Sequence, residues 1–296
     1  MATTNAAGDG PTTALRDAHE TLRIERRRVV DEREAFETFR SRVSTIPTES
    51  GPTAENGSPA EIGSTTGQLP LRGDGAGGGP NVGRGFGGHS RGGAAGAGRT
   101  PGSSLVAIRD AYVETVMSVP HYEAEYDDTY EASLAAEFGP DLAVALTQEP
   151  TLHDRYKELL LSKTVDTIDE RDAFLDTLDV EQASLDRATE RLLSITEELA
   201  TLSGSRLADL DYGTLDAYRV RTETLEESCD AIATRRQREL AEVDRSLRLG
   251  NSVPNVATYL YQDLSVTYPV LATVAVVGDR LRDLRQSIER EMIDRR

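Results

Sequence analysis

The sequence predicts an all-α protein: an elongated antiparallel coiled coil or helical bundle carrying a long disordered Gly-rich linker. Three observations lead there. Leu178, Leu185, Leu192 and Leu199 recur at seven-residue intervals, and Phe174, Ala188, Ile195 and Leu202 fill most of the companion positions, with one polar intruder, Glu181. A second series, Leu15, Leu22, Val29, Phe36 and Val43, is also spaced by seven, with Ala18, Phe39 and Ile46 three residues further on. Between the two, residues 47–104 hold 18 of the chain's 25 glycines and show no periodicity. A seven-residue apolar repeat keeps one seam of a helix facing a partner helix. A Gly-rich segment with little apolar surface cannot offset its backbone entropy by packing.

Taken in order, residues 1–11 are small and polar and read as a disordered N-terminus. Residues 12–46 form the first coiled-coil helix, roughly 50 Å long at 1.5 Å per residue, with Thr12 or Thr13 as its cap. Glu25 and Glu32 occupy the remaining seam positions, which weakens the zipper. Arg26, Arg27 and Arg28 could suggest a phosphate patch, but Asp31, Glu32 and Glu34 follow at helical spacing and make a salt-bridged solvent face the better reading. Pro47 ends the helix and opens the linker, residues 47–104. Its second half carries Arg84, Arg91 and Arg99 with no acid between Asn81 and Ser104, and GRGFGGHSRGG resembles the arginine-glycine boxes of RNA-binding tails. Three arginines leave a small electrostatic footprint, so an inert tether is the main reading and nucleic-acid contact through these arginines the alternative.

Residues 105–296 read as a helical domain in three parts. In 105–150, Leu105, Ile108, Tyr112 and Val116 follow helical spacing up to Pro120. Tyr122, Tyr126, Tyr130, Leu134 and Phe138 then stand four apart, which places them along one face of a single helix from His121 to Phe138. Counting from Leu105 to Gln148, nine acids face a single Arg109. Tyr122, Tyr126, Tyr130 and Phe138 are therefore candidate partner-binding residues, tyrosines supplying contact area and hydrogen bonds at low entropic cost. The plainer alternative is that this edge packs on the coil. Gly139 and Pro140 read as a helix stop and start around a short helix at Leu142 to Leu146.

Residues 151–250 are expected to form a coiled-coil hairpin. The first helix starts at a capping box of Thr151 and Asp154 and runs about fifty residues to Leu202, followed by a reversal between Gly204 and Gly213. The return helix carries Leu215, Tyr218, Leu225, Cys229, Ile232, Leu240, Val243 and Leu247 near its seam, with a one-residue phase shift around Arg236. Residues 251–296 hold a short helix and a turn, then a last helix starting at Pro269 with Val270, Val274, Val277, Leu281, Leu284 and Ile288 at three-four spacing. That helix is expected to pack against the segment from Leu105 to Leu146.

Composition sets the environment. Acids number 51 against 33 bases, the net charge is −18, and Lys157 and Lys163 are the only lysines. Such a surface stays hydrated in molar salt while its self-repulsion is screened, and it argues against general nucleic-acid binding by the helical body. Cys229 is the sole cysteine, so no internal disulfide and no thiolate metal cage can form. Its acidic neighbours make it a small core residue rather than a nucleophile. The start MATTNAAGDGPTT lacks a basic and apolar leader, and the run Pro269 to Gly278 is about half a membrane span. The expected location is cytoplasmic.

No phosphate loop, dinucleotide fingerprint or paired-His metal helix is present in the sequence, and a metal site at His121 lacks a second His at ligand spacing. The reading is non-enzymatic, with no catalytic residue, cofactor or metal. The runs PHYEAEYDDTYEASLAAEFGP at 120–140 and YLYQDLSVTYPVLATVA at 259–275, with acidic, lysine-poor heptads between them, resemble an uncharacterised haloarchaeal family of acidic coiled-coil proteins, a domain of unknown function. The resemblance implies a mostly helical protein of a halophilic archaeon and attaches no chemistry to it. The expected role is a structural or adaptor coiled-coil protein, binding a protein partner or its own copies through the coil.

Overall fold

The computed structural model describes residues 12–48, 102–249 and 256–295, and the side chains of 243–249 lie outside that description. The expected disordered N-terminus, nearly all of the linker, and the seam positions Val243 and Leu247 therefore fall outside the described residues. Among the described residues every regular element is helical: α1 Thr13–Thr45, α2 Ser103–Thr115, α3 Tyr122–Glu125, α4 Tyr130–Phe138, α5 Pro140–Gln148, α6 Asp154–Ser203, α7 Tyr212–Leu249, α8 Val256–Tyr261 and α9 Pro269–Asp294. Short 3₁₀ turns stand at Val116–Ser118 and Leu207–Asp209. The chain divides into two compact units, one made of Arg26–Asp176 and the other of Met1–Glu25 with Thr177–Arg296. Both α1 and α6 contribute to each.

In the unit of Arg26–Asp176, the heptad positions Phe36, Phe39, Val43 and Ile46 of α1 are buried with Leu105, Ile108 and Tyr112 of α2, Leu134 and Phe138 of α4, Leu142 and Leu146 of α5, and Leu160 and Ile168 of α6. Aromatic edges organise this core. Phe39 meets Tyr112 edge-on at 5.2 Å and stacks near Phe138 at 6.2 Å, arrangements that the ring quadrupoles favour. The α1 and α6 segments run antiparallel, since Arg33 donates to Asp172 at 2.5 Å while Lys157 reaches the carbonyls of Ser44 and Ile46 at 3.0 and 2.6 Å. One of the chain's two lysines thus satisfies orphan carbonyls at the end of α1. The capping box expected at Thr151 is displaced, and α6 begins at Asp154 on the carbonyl of His153.

The acidic-aromatic segment is not one helix. The stretch breaks between α3 and α4, where Asp127 takes a φ of 44° and the Thr129 hydroxyl accepts the Ala132 N–H. Asp and Thr compete with helix hydrogen bonding and favour caps, and Asp tolerates the left-handed region. The sequence Asp127-Asp128-Thr129 therefore ends one helix and starts the next, and the tyrosines do not share a helical face. Gly139 closes α4 with a φ of 90°, a conformation costly for any residue with a Cβ, and Pro140 opens α5.

In the second unit α6 and α7 form an antiparallel hairpin. Ser205 lies 3.2 Å from Tyr218 near the turn, Arg221 is bonded to Glu198, and Arg236 meets Glu181 at 2.6 Å. Paired positions thus move apart in sequence with distance from the reversal. Asp211 caps α7 by accepting the Thr214 N–H at 3.0 Å and its hydroxyl at 2.7 Å. The α6 seam is buried at Leu178, Glu181, Leu185, Ala188, Leu192, Ile195, Leu199 and Leu202, with Phe174 partly exposed. The α7 seam is buried at Leu215, Thr222, Leu225, Cys229, Ile232 and Arg236, and the phase shift expected around Arg236 rests on Val243 and Leu247, outside the described residues. The last helix does not find its partner in residues 105–146 as expected. It lies antiparallel on α7, with Arg285 on Glu226 at 3.0 Å and Arg295 donating to the carbonyls of Leu207, Ala208 and Leu210, just before that helix.

Candidate functional site

The polar residues at seam positions are where the chain departs from a plain zipper, and each one is answered. In the Arg26–Asp176 unit, Glu32 points from α1 into a buried cluster. His121 lies 3.1 Å from its Oε1, the Tyr126 hydroxyl donates to the same oxygen at 2.9 Å, and Arg171 approaches Oε2 at 3.4 Å. Arg171 also donates to Glu137 at 3.0 Å and places its guanidinium 4.9 Å from the centre of the Phe36 ring. Burial works to raise the Glu32 pKa, but the His121 hydrogen bond, the Arg171 charge and Tyr126 together hold it below the usual carboxylate range. Burial, then Glu32, pushes the Tyr126 phenol upward, and Glu137 and Glu32 outweigh burial to raise Arg171. The cluster is one cation held between two carboxylates.

The second unit repeats the device. Glu181, the intruder of the α6 heptads, is bound through both oxygens by Arg236 at 2.6 and 2.9 Å and accepts the Tyr261 hydroxyl at 2.7 Å. Arg236 and Glu181 are each 4% exposed. On α1, Glu25 accepts the Tyr259 hydroxyl at 2.6 Å. Tyr126 belongs to the first of the two distinctive runs in the sequence, and Tyr259 and Tyr261 to the second. Both runs therefore supply hydroxyls to seam carboxylates.

The four candidate partner-binding residues are used inside their unit. Tyr122 and Phe138 are each 4% exposed, Tyr126 is spent on Glu32, and Tyr130 packs on the aromatic core 5.7 Å from Tyr112. This differs from the expected tyrosine docking edge, because the break at Asp127 turns these rings inward. The hydroxyls of Tyr122 and Tyr130 are buried without a hydrogen-bond partner among the described residues, an arrangement that carries a desolvation cost. Tyr122→Phe is accordingly expected to raise stability by about 1 kcal/mol in urea unfolding followed by circular dichroism. A loss of stability would show that the hydroxyl is in use. Arg84, Arg91 and Arg99 lie outside the described residues.

Cys229 is 2% exposed, and burial, followed by Asp230 and Glu226, pushes its thiol up to about 11, away from thiolate chemistry. Among the described residues no group of three or more His, Cys, Asp or Glu is placed to hold a metal ion. No described helix is long and apolar enough to cross a membrane.

Sequence reasoning singled out Glu25, Glu32, Glu181 and Arg236 as irregularities but not as partners, and it missed Arg171 and Glu137. The available signal was register: Leu160, Thr164, Thr167, Arg171, Leu178 and Glu181 continue the same three-four spacing as the apolar heptads. The family described as Domain of unknown function (DUF7260) matches residues 13–285, a span that includes all of these seam positions. The chain belongs to this family. No curated protein and no solved structure matches the chain.

Proposed function

We propose that this DUF7260 protein is a non-enzymatic structural or adaptor protein of a halophilic archaeon, an elongated antiparallel coiled coil that mediates protein–protein interaction in the cytoplasm. The observation that carries the proposal is the pairing of seam charges. Glu32 with Arg171 and Glu181 with Arg236 sit where an apolar residue would pack more cheaply. A buried polar pair at a seam adds little net stability, yet any slip of register would leave its charges unpaired. Such a device suits a spacer or docking rod whose helices must meet in one alignment.

Affinity purification of the tagged full chain from a haloarchaeal host in molar salt tests the proposal. A protein partner, or a second copy of the chain, in fixed stoichiometry is the expected result. A lone monomer would contradict it, as would nucleic acid that disappears when residues 81–104 are deleted.

The halophilic part has its own test. With a net charge of −18, repulsion among surface carboxylates is screened as salt rises. The melting temperature is expected to climb from 0.1 M to 2 M KCl, each kcal/mol of relieved repulsion appearing as about 2–4 °C. A flat or falling curve removes the halophilic reading.

A further inference from the structure

The α6–α7 hairpin holds a feature out of keeping with so acidic a chain. Ser184, Arg187, Ala188 and Arg191 of α6 face Ile232, Arg235, Arg236 and Glu239 of α7 around a cleft of about 270 Å³, open solvent at its mouth included. Four guanidinium groups line it. Against them stand Glu239 in the lining and Glu181 behind it, so the cleft carries two positive charges in excess. Asp186, the acid next to Arg187 in the chain, is engaged by Gln182 at 2.8 Å and His19 at 3.5 Å.

The cleft already shows how it holds an oxyanion. The Glu239 carboxylate accepts from the Ser184 hydroxyl at 2.5 Å, from Arg187 at 3.1 Å and from Arg235 at 2.8 Å. Two arginines from opposite helices thus converge with a hydroxyl on one carboxylate. The Ser184 hydroxyl also accepts a hydrogen bond from Arg236 at 2.7 Å, so its donor and acceptor sides are both fixed. Arg191 stands one helical turn beyond Arg187 on the same face of α6, exposed at the cleft. Arg187 and Arg235 are half exposed, at 45% and 50%, and keep donor edges toward solvent. Planar guanidinium forks match the oxygens of phosphate in pairs.

We propose that this cleft is a binding site for a small phosphate-bearing anion, held by Arg187, Arg191 and Arg235, with Glu239 as the internal carboxylate that limits its affinity. The site's presence does not depend on the scaffold reading, since partner capture and anion binding are measured separately.

Isothermal titration calorimetry of the full chain with inorganic phosphate and with pyrophosphate, at fixed high KCl, tests it. One site is expected. Arg191→Gln combined with Arg235→Gln should weaken binding by about tenfold or more, the loss of charge-assisted contacts. Glu239→Gln should tighten it by a comparable factor, because a competing negative charge is gone. Arg191→Gln alone removes an exposed side chain and should leave the melting temperature unchanged, which separates loss of binding from loss of fold. No binding to the unmodified chain would overturn the proposal, as would affinity indifferent to these variants. Binding of a short oligonucleotide with no response to phosphate or pyrophosphate would overturn it too.

Discussion

Arg171→Met is expected to destabilise the protein by about 3–5 kcal/mol, the cost of leaving buried carboxylates without their counter-charge. Glu32 and Glu137 both bind Arg171, and Glu137 is almost wholly buried. The pH dependence makes the cause identifiable. In the native protein the pKa of Glu32 lies below its ordinary value of 4.5. Its contribution to stability is therefore fully present above about 4.5, the unfolded value, and is lost as pH falls through the lower folded value. Without Arg171 the burial that already opposes ionisation at Glu32 loses its main opposing charge, and protonation of Glu32 becomes less costly to the fold. The deficit of the variant relative to the unmodified chain should shrink between pH 7 and pH 5 in urea unfolding followed by circular dichroism. A deficit independent of pH would mean that lost packing against Phe36, rather than unpaired charge, accounts for it.

Arg236→Leu should cost a similar amount, about 3–5 kcal/mol, and here the cycle decides what the pair contributes. The double variant Glu181→Leu, Arg236→Leu removes both charges and should recover most of the loss. The Tyr261 hydroxyl would then lack its acceptor, leaving a residue of about 1–3 kcal/mol. Adding Tyr261→Phe should close that gap, since Tyr261 is fully buried and its hydroxyl donates to Glu181. Recovery in stability accompanied by mixed helix registers, read by disulfide cross-linking of introduced cysteine pairs along α6 and α7, would show that the ion pair serves alignment. Failure of the triple variant to recover would show that the pair itself holds the hairpin together.

Much of the architecture was legible because a heptad pattern is a local signal. Leu178 to Leu202 and Leu15 to Ile46 announced buried stripes, and the length of α6, its reversal at Gly204, the Gly139-Pro140 punctuation and the Pro269 start could all be placed from neighbours in sequence. Local signals were misleading where two outcomes share one spacing. Tyrosines four apart fit a continuous helix, yet Asp127 and Thr129 break it, and the rings turn inward. The last helix carries an apolar stripe that matches several partners equally well, and only the fold assigns it to α7.

The candidate sites followed the same division. Glu32 and Glu181 were visible as irregularities because a carboxylate at a seam stands out on its own helix. Their partners were not visible. Arg171 lies 139 residues from Glu32, and Arg236 lies 55 from Glu181. Register places Arg171 on the α6 seam, but nothing local says which carboxylate it meets there.

By itself the sequence determined that the chain is helical, where its long helices begin and end, and that its surface is acidic, since these depend on composition and on periodicity within a few turns. Only the tertiary structure decided which helix lies against which, that the seam charges are paired, and that four arginines gather in one cleft of an acidic protein. Side chains from distant helices become neighbours only when the helices pack, so the energy of those contacts exists nowhere in the local sequence.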